Sequence, residues 1–245
     1  RMDRSDTTLI IESGIAGGVY YNTPNETVTQ MANRYNNAIN WWGNGAGGTD
    51  YGKTNQVIAA INGDYWEDDP TGSHNYTGYP LSGQVHSGWF SRRYFEYSGG
   101  SGFCWNLNRG CFIGGNIRNG QAGPIDQFVI MGNTTTKITH LNVVVGRSTV
   151  ANALILYTNQ FAPHTYTDND RVEVLVKMSR PTLMFHQSVA SKADGTVLQI
   201  LHGGSTYIPF DCVVLSAHGS YSTALLSNCT VGQTIGIKMN YQDYG

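Results

Sequence analysis

RVEVLVKM, residues Arg171 to Met178, decides what kind of chain this is. Val172, Val174 and Val176 alternate with Arg171, Glu173 and Lys177, and a period of two sends successive side chains to opposite faces of a strand. The stretch is therefore expected to be a β-strand with one face in a core and the other in water. Other segments of the same character surround it: Phe128–Met131, Ile138–Val145, Ala153–Thr158, Val197–Leu201, Val213–Ser216 and Thr234–Met239. A short helix is expected at Ser220–Ser227, around Ala224, Leu225 and Leu226.

The N-terminal part reads differently. From Thr27 onward, Val28, Met31, Ala32, Tyr35, Ile39 and Trp42 recur at spacings of three and four, the apolar stripe of an amphipathic helix. Asn25 or Thr27 is placed to cap it, and the glycines after Trp42 end it. Gln56–Ile61 is short and apolar, and is expected to be a strand buried on both faces. Residues 62–127 are cut by glycine pairs, Pro80, Pro124 and Asn119-Gly120 into hairpins and loops. The expected fold is strand-rich α+β, with mixed sheets, one prominent N-terminal amphipathic helix and a short C-terminal helix. No linker or repeat divides residues 1–245, so one domain is expected.

Composition excludes several partners. Charged residues make up 13% of the 245 residues, and 15 Lys and Arg against 17 Asp and Glu leave a net charge of −2. A typical soluble domain carries about 25% charged residues, so polarity here comes from neutral groups, with 30 Gly and 15 Tyr. No basic face is offered to nucleic acid or to anionic lipid. No apolar run approaches the roughly 20 residues of a membrane helix. The N-terminal RMDRSD has no hydrophobic segment, so a secretory signal is expected to have been removed or never present.

Cys104, Cys111, Cys212 and Cys229 fall as two close pairs, with three connectivities open. Pairing of sequence neighbours, Cys104–Cys111 and Cys212–Cys229, is expected, each contributing about 2–3 kcal/mol on a chain-entropy account. Four buried thiols are the alternative, and neither spacing suits a zinc knuckle. Cysteine usage and low charge together point to a secreted or lumenal protein. Sequons at Asn25, Asn75, Asn133 and Asn228 agree, although so loose a triplet arises by chance in a chain rich in Asn, Ser and Thr.

AAINGDYW from Ala59, followed by PTG and LSGQVHSG, resembles a segment of the phosphodiester glycosidase family. ITHLNVVVGRSTVANALILYT, RVEVLV, YIPFDCVVLSAHG and the ALL…VGQTIGIKM ending follow that family's order, over roughly residues 25–240. The resemblance implies hydrolysis or binding of a sugar-1-phosphodiester or related glycan, with Asn62, Gly63 and Asp64 lining the cleft. It also implies a shortfall. The family continues into an Arg-Thr segment and an Asn-Leu-Asp-Gly-Gly-Gly-Ser-like motif, whereas His202-Gly-Gly-Ser205 comes too early here and is expected to be a turn. The missing partners are thus expected to come from a second chain that completes the fold or from a removed C-terminal part. The other expectation is a non-catalytic extracellular glycoprotein whose copies assemble into filaments or matrix, recruited by unpaired edges beside Thr234–Met239.

Asp64 is the candidate acid or base, and a divalent cation such as calcium is compatible with Asp64 to Asp69; no other cofactor is expected. An ordinary Asn-Gly turn is the plain alternative there. His218 follows a buried strand and precedes a glycine, where side chains commonly face clefts, so it is the second catalytic candidate against a purely structural histidine. His86 is a weaker candidate of the same kind. Asn142 and Arg147 are candidates to hydrogen-bond a sugar or phosphate. Tyr65, Trp66, Trp89 and Trp105 offer rings for stacking or for packing.

Overall fold

Val172–Met178 forms a strand with the expected bounds, but it is buried on both faces, with Lys177 its one exposed residue. This computed structural model describes residues 125–179 and 192–241 continuously. Before them it describes short pieces: 16–19, 21, 26–34, 36, 57–61, 66–67, 79–80, 84–86, 89–92, 102–105 and 110–113. Two compact units divide the chain, residues 14–81 and residues 1–13 with 82–245.

In the unit of residues 14–81, helix α1 covers residues 28–34. Thr27 caps it reciprocally: Thr27 Oγ1 accepts from Gln30 N at 3.2 Å, and Thr27 N donates to Gln30 Oε1 at 2.8 Å. This is a capping box, satisfying two orphan amides at once. Arg34 Nε donates to Glu26 at 2.9 Å, and that bond holds the Glu26 carboxyl below its ordinary range. Tyr35, Ile39 and Trp42 of the expected helical face lie outside the described residues. The strand expected at Gln56–Ile61 is not formed over residues 57–61; Ile58 is 77% and Ile61 87% exposed. Short apolar runs do not by themselves distinguish a buried strand from coil, because a strand requires a ladder partner. Strand β1 (Trp66–Glu67) pairs antiparallel with β2 (Tyr79–Pro80).

The second unit opens with two hairpins in the region expected to hold them. Strand β3 (Gln84–His86) pairs with β4 (Trp89–Arg92), and β5 (Gly102–Trp105) pairs with β6 (Gly110–Ile113). The rest is one eight-stranded sheet. Its strands are β7 (Ile125–Met131), β8 (Thr134–Lys137), β9 (His140–Leu141), β10 (Ala153–Thr158), β11 (Val172–Met178), β12 (Lys192–His202), β13 (Cys212–His218) and β14 (Thr234–Tyr241), in spatial order β8-β7-β14-β12-β11-β13-β10-β9. The strand-rich class is as expected, and α2 (Ser220–Asn228) extends the expected helix by one residue.

The two ends of this sheet are joined by one step of chain. Ile138 N donates to Gln127 O on β7 and the next amide, Thr139 N, donates to Leu154 O on β10, both at 2.8 Å. The mixed sheet therefore curls round a core that includes Val129, Leu154, Leu156, Val174, Val176, Leu215 and Ile237, with Leu225 of α2 packed into it. Ile138–Val145 is consequently not the single strand expected. Asn142 interrupts it at φ 49, a left-handed conformation that Asn tolerates better than most residues. Strand β14 pairs with β12 on one side and β7 on the other. The open neighbours expected beside Thr234–Met239 are absent from this sheet, because curling brings partners to both flanks.

The register sets Cys104 directly opposite Cys111. Cys212 and Cys229 correct the other expected pairing: both are free and buried. Val213, Leu215 and Ala217 of β13 point into the core beside Cys229, so alternation turns Cys212 to the opposite face. Cys229 Sγ instead lies 3.3 Å from Met131 Sδ. Burial pushes the Cys229 thiol up to about 11 and the Cys212 thiol to about 12, the latter aided by Asp211. Since the thiolate is the reactive form, both should resist iodoacetamide in the native protein at mildly alkaline pH and react once it is unfolded in urea. Peptide mapping without reductant is expected to yield a Cys104–Cys111 crosslink, and a Cys212–Cys229 peptide would contradict this structure.

Asn133 sits exposed with Gly132 (φ 58) in the two-residue turn between β7 and β8. Asn228 is tied into the fold: its Nδ2 donates to Ala224 O at 2.8 Å and its Oδ1 accepts from Thr134 at 3.0 Å. Asn25 and Asn75 lie outside the described residues.

Candidate active site beneath the crossover loops

Strand β11 was expected to be wet on its polar side, and that side is where the chemistry collects. Arg171, Glu173, Ser216 and His218 are each at most 1% exposed. The register places Glu173 opposite Ser216 and ends at Val172 opposite Ala217, with Arg171 and His218 the next residue beyond that last pair on either side. Burying ionisable groups in this way costs several kcal/mol unless partners replace water.

Three segments provide the cover. Residues 143–150 are pinned by Tyr157 Oη, which donates to Val143 O at 2.7 Å, and by Arg171 Nη2, which donates to Val145 O. The other two are crossovers, required because β10 runs parallel to β11 and β12 parallel to β13. They meet as an antiparallel ribbon, with Thr165 N donating to Thr206 O at 3.0 Å and Ile208 N to Pro163 O at 2.8 Å. Gly204 permits the close approach; a Cβ there would sit 2.1 Å from Thr167 O. Of the expected turn His202–Ser205, His202 ends β12 and Gly203 and Gly204 bend the chain.

This cover saturates Glu173. Thr167 Oγ1 donates to Oε1 at 2.7 Å, while Thr165 Oγ1 and Thr206 N donate to Oε2, each at 3.1 Å. The threonine hydroxyls in turn accept from Ser205 N and Thr206 N.

Arg171 and His218 are not saturated. Arg171 Nε and Nη1, His218 Nδ1 and Ser216 Oγ are buried without hydrogen-bond partners. Asp170 Oδ1 stands 3.8 Å from Arg171 Nε, an ion pair too long for a hydrogen bond. His218 Nε2 lies 2.6 Å from Val150 O. A carbonyl only accepts, so Nε2 carries the proton and Nδ1 presents a bare lone pair. Gly219, at φ 65, turns the chain directly after it; Ser220 N then donates to Asn152 Oδ1 at 2.7 Å.

Burial holds His218 below the ordinary histidine value of 6.5, with Arg171 and Arg147 pushing the same way against the Val150 carbonyl and Asp170. On acidification the unfolded chain takes up a proton before the folded one does. Stability should therefore be fully present above about pH 6.5 and decline below it until the folded value is reached. Urea unfolding at about pH 7.5 and about pH 5 should show this slope, and His218→Gln should flatten it. A pH-independent native profile would mean that His218 is not held neutral.

The expected site residues divide sharply. His218 and Arg147 come together at this corner, Arg147 exposed on the covering turn with Nη1 3.4 Å from Asp170. Asn142 is corrected from ligand contact to structural plug. It is wholly buried, Oδ1 accepts from Thr158 N at 2.8 Å and Nδ2 donates to Thr158 Oγ1 at 2.9 Å, which continues the β9–β10 pairing through a side chain. His86 lies opposite Trp89 in β3–β4. Asn62, Gly63 and Asp64 fall outside the described residues, as do most of the Asp64 to Asp69 positions considered for a cation. Among the described residues no cluster of three His, Cys, Asp or Glu is placed to hold a metal, and no helix is long and apolar enough to cross a membrane. Sequence reasoning missed Arg171, Glu173 and Ser216. The available signal was two polar pairs at strand spacing, Arg171/Glu173 and Ser216/His218, within otherwise apolar runs.

No protein-family model matches the chain, and no curated protein does. Its structure is similar to that of a protein of Burkholderia pseudomallei named as exported, with 14% identity and a TM-score of 0.56, over 96% of this chain and 44% of that one. It is also similar to a hypothetical protein from Synechocystis, with 14% identity and a TM-score of 0.44, over 75% of this chain and 30% of the other. The chain thus spans less than half the length of either, and the first likeness is one of fold.

Proposed function

We propose that this chain is an exported carbohydrate-active module that recognises a sugar phosphodiester through its phosphate. The observation that carries this reading is that Arg171 Nε and Nη1 and His218 Nδ1 are all buried without a hydrogen-bond partner. A phosphodiester oxygen accepts from the guanidinium, and a hydroxyl of the attached sugar donates to Nδ1, so one ligand meets both needs. Arg147 adds a second cation at the rim.

Access requires the turn at residues 146–150 to lift. That breaks the bonds from Arg171 to Val145 O and from His218 to Val150 O, at a cost of about 1–3 kcal/mol each. The phosphodiester glycosidase resemblance supports the reading, because two of its motifs, ITHLNVVVGRSTVANALILYT and YIPFDCVVLSAHG, carry Arg147 and His218. The exported Burkholderia protein of similar fold and the low charge density support export. Titration calorimetry with a sugar-1-phosphate methyl diester tests the proposal: binding should be competed by inorganic phosphate and weakened at least tenfold in Arg171→Met. Absence of binding, or binding indifferent to phosphate, would refute it.

A further inference from the structure

We infer that the outer surface of the two crossovers is a stacking site for a neutral sugar ring. Thr165 and Thr167 point inward to Glu173, Tyr166 between them is exposed, and Tyr207 stands across the ribbon from His164. His164 braces both rings, its centroid 5.8 Å from that of Tyr166 and 5.3 Å from that of Tyr207. Tyr166 is 44% and Tyr207 58% exposed, and Phe210, farther along the same crossover, is 53% exposed.

The backbone beneath these rings is held in an unfavourable conformation. Tyr166 has φ 48 and Ser205 φ 65, both left-handed without being glycine. Such strain persists only where its surroundings over-determine it, and it gathers at ligand sites. Here the Glu173 network enforces it, and the result is a ring aimed away from the core.

The ligand follows from size and charge. The rings of Tyr166 and Tyr207 expose on the order of 200 Å², far short of the roughly 800 Å² per partner of a stable protein interface. That area matches the faces of one or two sugar rings. Neither Gln160–Thr167 nor Gly203–Phe210 contains Lys, Arg, Asp or Glu, so nothing charged in the ribbon selects a charged ligand. Tyrosine offers an apolar face with a hydroxyl at its edge, which suits a sugar's C–H face and its equatorial hydroxyls.

The test uses immobilised hexasaccharides of glucose, mannose and N-acetylglucosamine, without phosphate. At least one should retain the protein, and Tyr207→Ala should weaken retention at least tenfold while Tyr207→Phe keeps most of it. Tyr166→Gly separates binding from folding, since glycine accepts φ 48: retention should fall at least tenfold while the melting temperature holds or rises. Failure to bind all three sugars overturns the inference, as does retention that survives Tyr166→Gly and Tyr207→Ala. Self-association that is lost in Tyr207→Ala would assign the surface to a second copy and also overturn it. The site deepens the phosphodiester reading by adding a sugar subsite, yet the two fail separately, because Arg171→Met should leave retention on neutral sugars intact.

Discussion

Replacing Glu173 by leucine is expected to lower the unfolding free energy by about 3–5 kcal/mol, the cost of removing one member of a buried polar network and orphaning the rest. Three donors converge on this carboxylate: Thr165 Oγ1, Thr167 Oγ1 and Thr206 N. Without it, Thr206 N keeps its bond to Thr165 Oγ1 but the threonine hydroxyls lose their common acceptor, and the ribbon that roofs the sheet loses its anchor. Glu173→Gln retains an acceptor and most of the shape, so a loss of about 1–2 kcal/mol is expected. Thr165→Val and Thr167→Val should each cost about 1 kcal/mol and should not add independently, since the two hydroxyls share one network. Urea midpoints at unchanged m-value measure these changes. A Glu173→Leu loss below about 1 kcal/mol would mean that the network does not hold the roof in place.

The sheet was readable where local and long-range preferences agree. Ala153–Thr158 and Val172–Met178 appear with the bounds that their runs of branched and apolar residues gave. Strand β12 starts earlier than Val197 because Asp194 and Gly195 join the ladder, and a side chain at Gly195 would stand 2.7 Å from Val176 Cγ1. Glycine normally weakens a strand, so a close approach of this kind is invisible until the neighbouring strand is placed. Ile138–Val145 failed for a related reason. Its apolar run is continuous, but closure of the sheet demands that it leave one edge at Ile138 and reach the other at Thr139, and Asn142 then turns it away.

The site was only half readable. A strand with alternating polar residues is ordinarily half solvated, and nothing within RVEVLVKM shows that two crossovers will fold back over it. His218 could be singled out by its place at a strand end, whereas its partners depend on a pairing register that one sequence does not contain. Asn142 was assigned to ligand because its type suits sugar recognition. The same donor and acceptor serve equally well to splice a strand, and here both are taken up by Thr158.

Arg171→Met is expected to leave the unfolding free energy unchanged or to raise it by about 1–4 kcal/mol, while abolishing phosphate-competed binding of the sugar phosphodiester. Glu173 in β11 and Arg171 just before it are two residues apart and both buried, but their hydrogen-bond states are opposite. Glu173 has a donor for each oxygen and one to spare. Arg171 makes its bond to Val145 O, stands 3.8 Å from Asp170, and leaves Nε and Nη1 bare. A buried cation in that state disfavours folding, and a residue kept for stability alone would be better served by an unbranched apolar side chain of similar length. Methionine removes the unmet donors and fills much of the space, so the penalty should disappear along with the ligand's charge partner. Thermal melts of both proteins, with and without saturating phosphate, give the measurement: phosphate should raise the wild-type midpoint by mass action and leave that of Arg171→Met unmoved. A large loss of stability in Arg171→Met, with phosphate shifting neither protein, would make Arg171 a structural strut for the turn at residues 146–150 and remove the basis for an anion site at this corner.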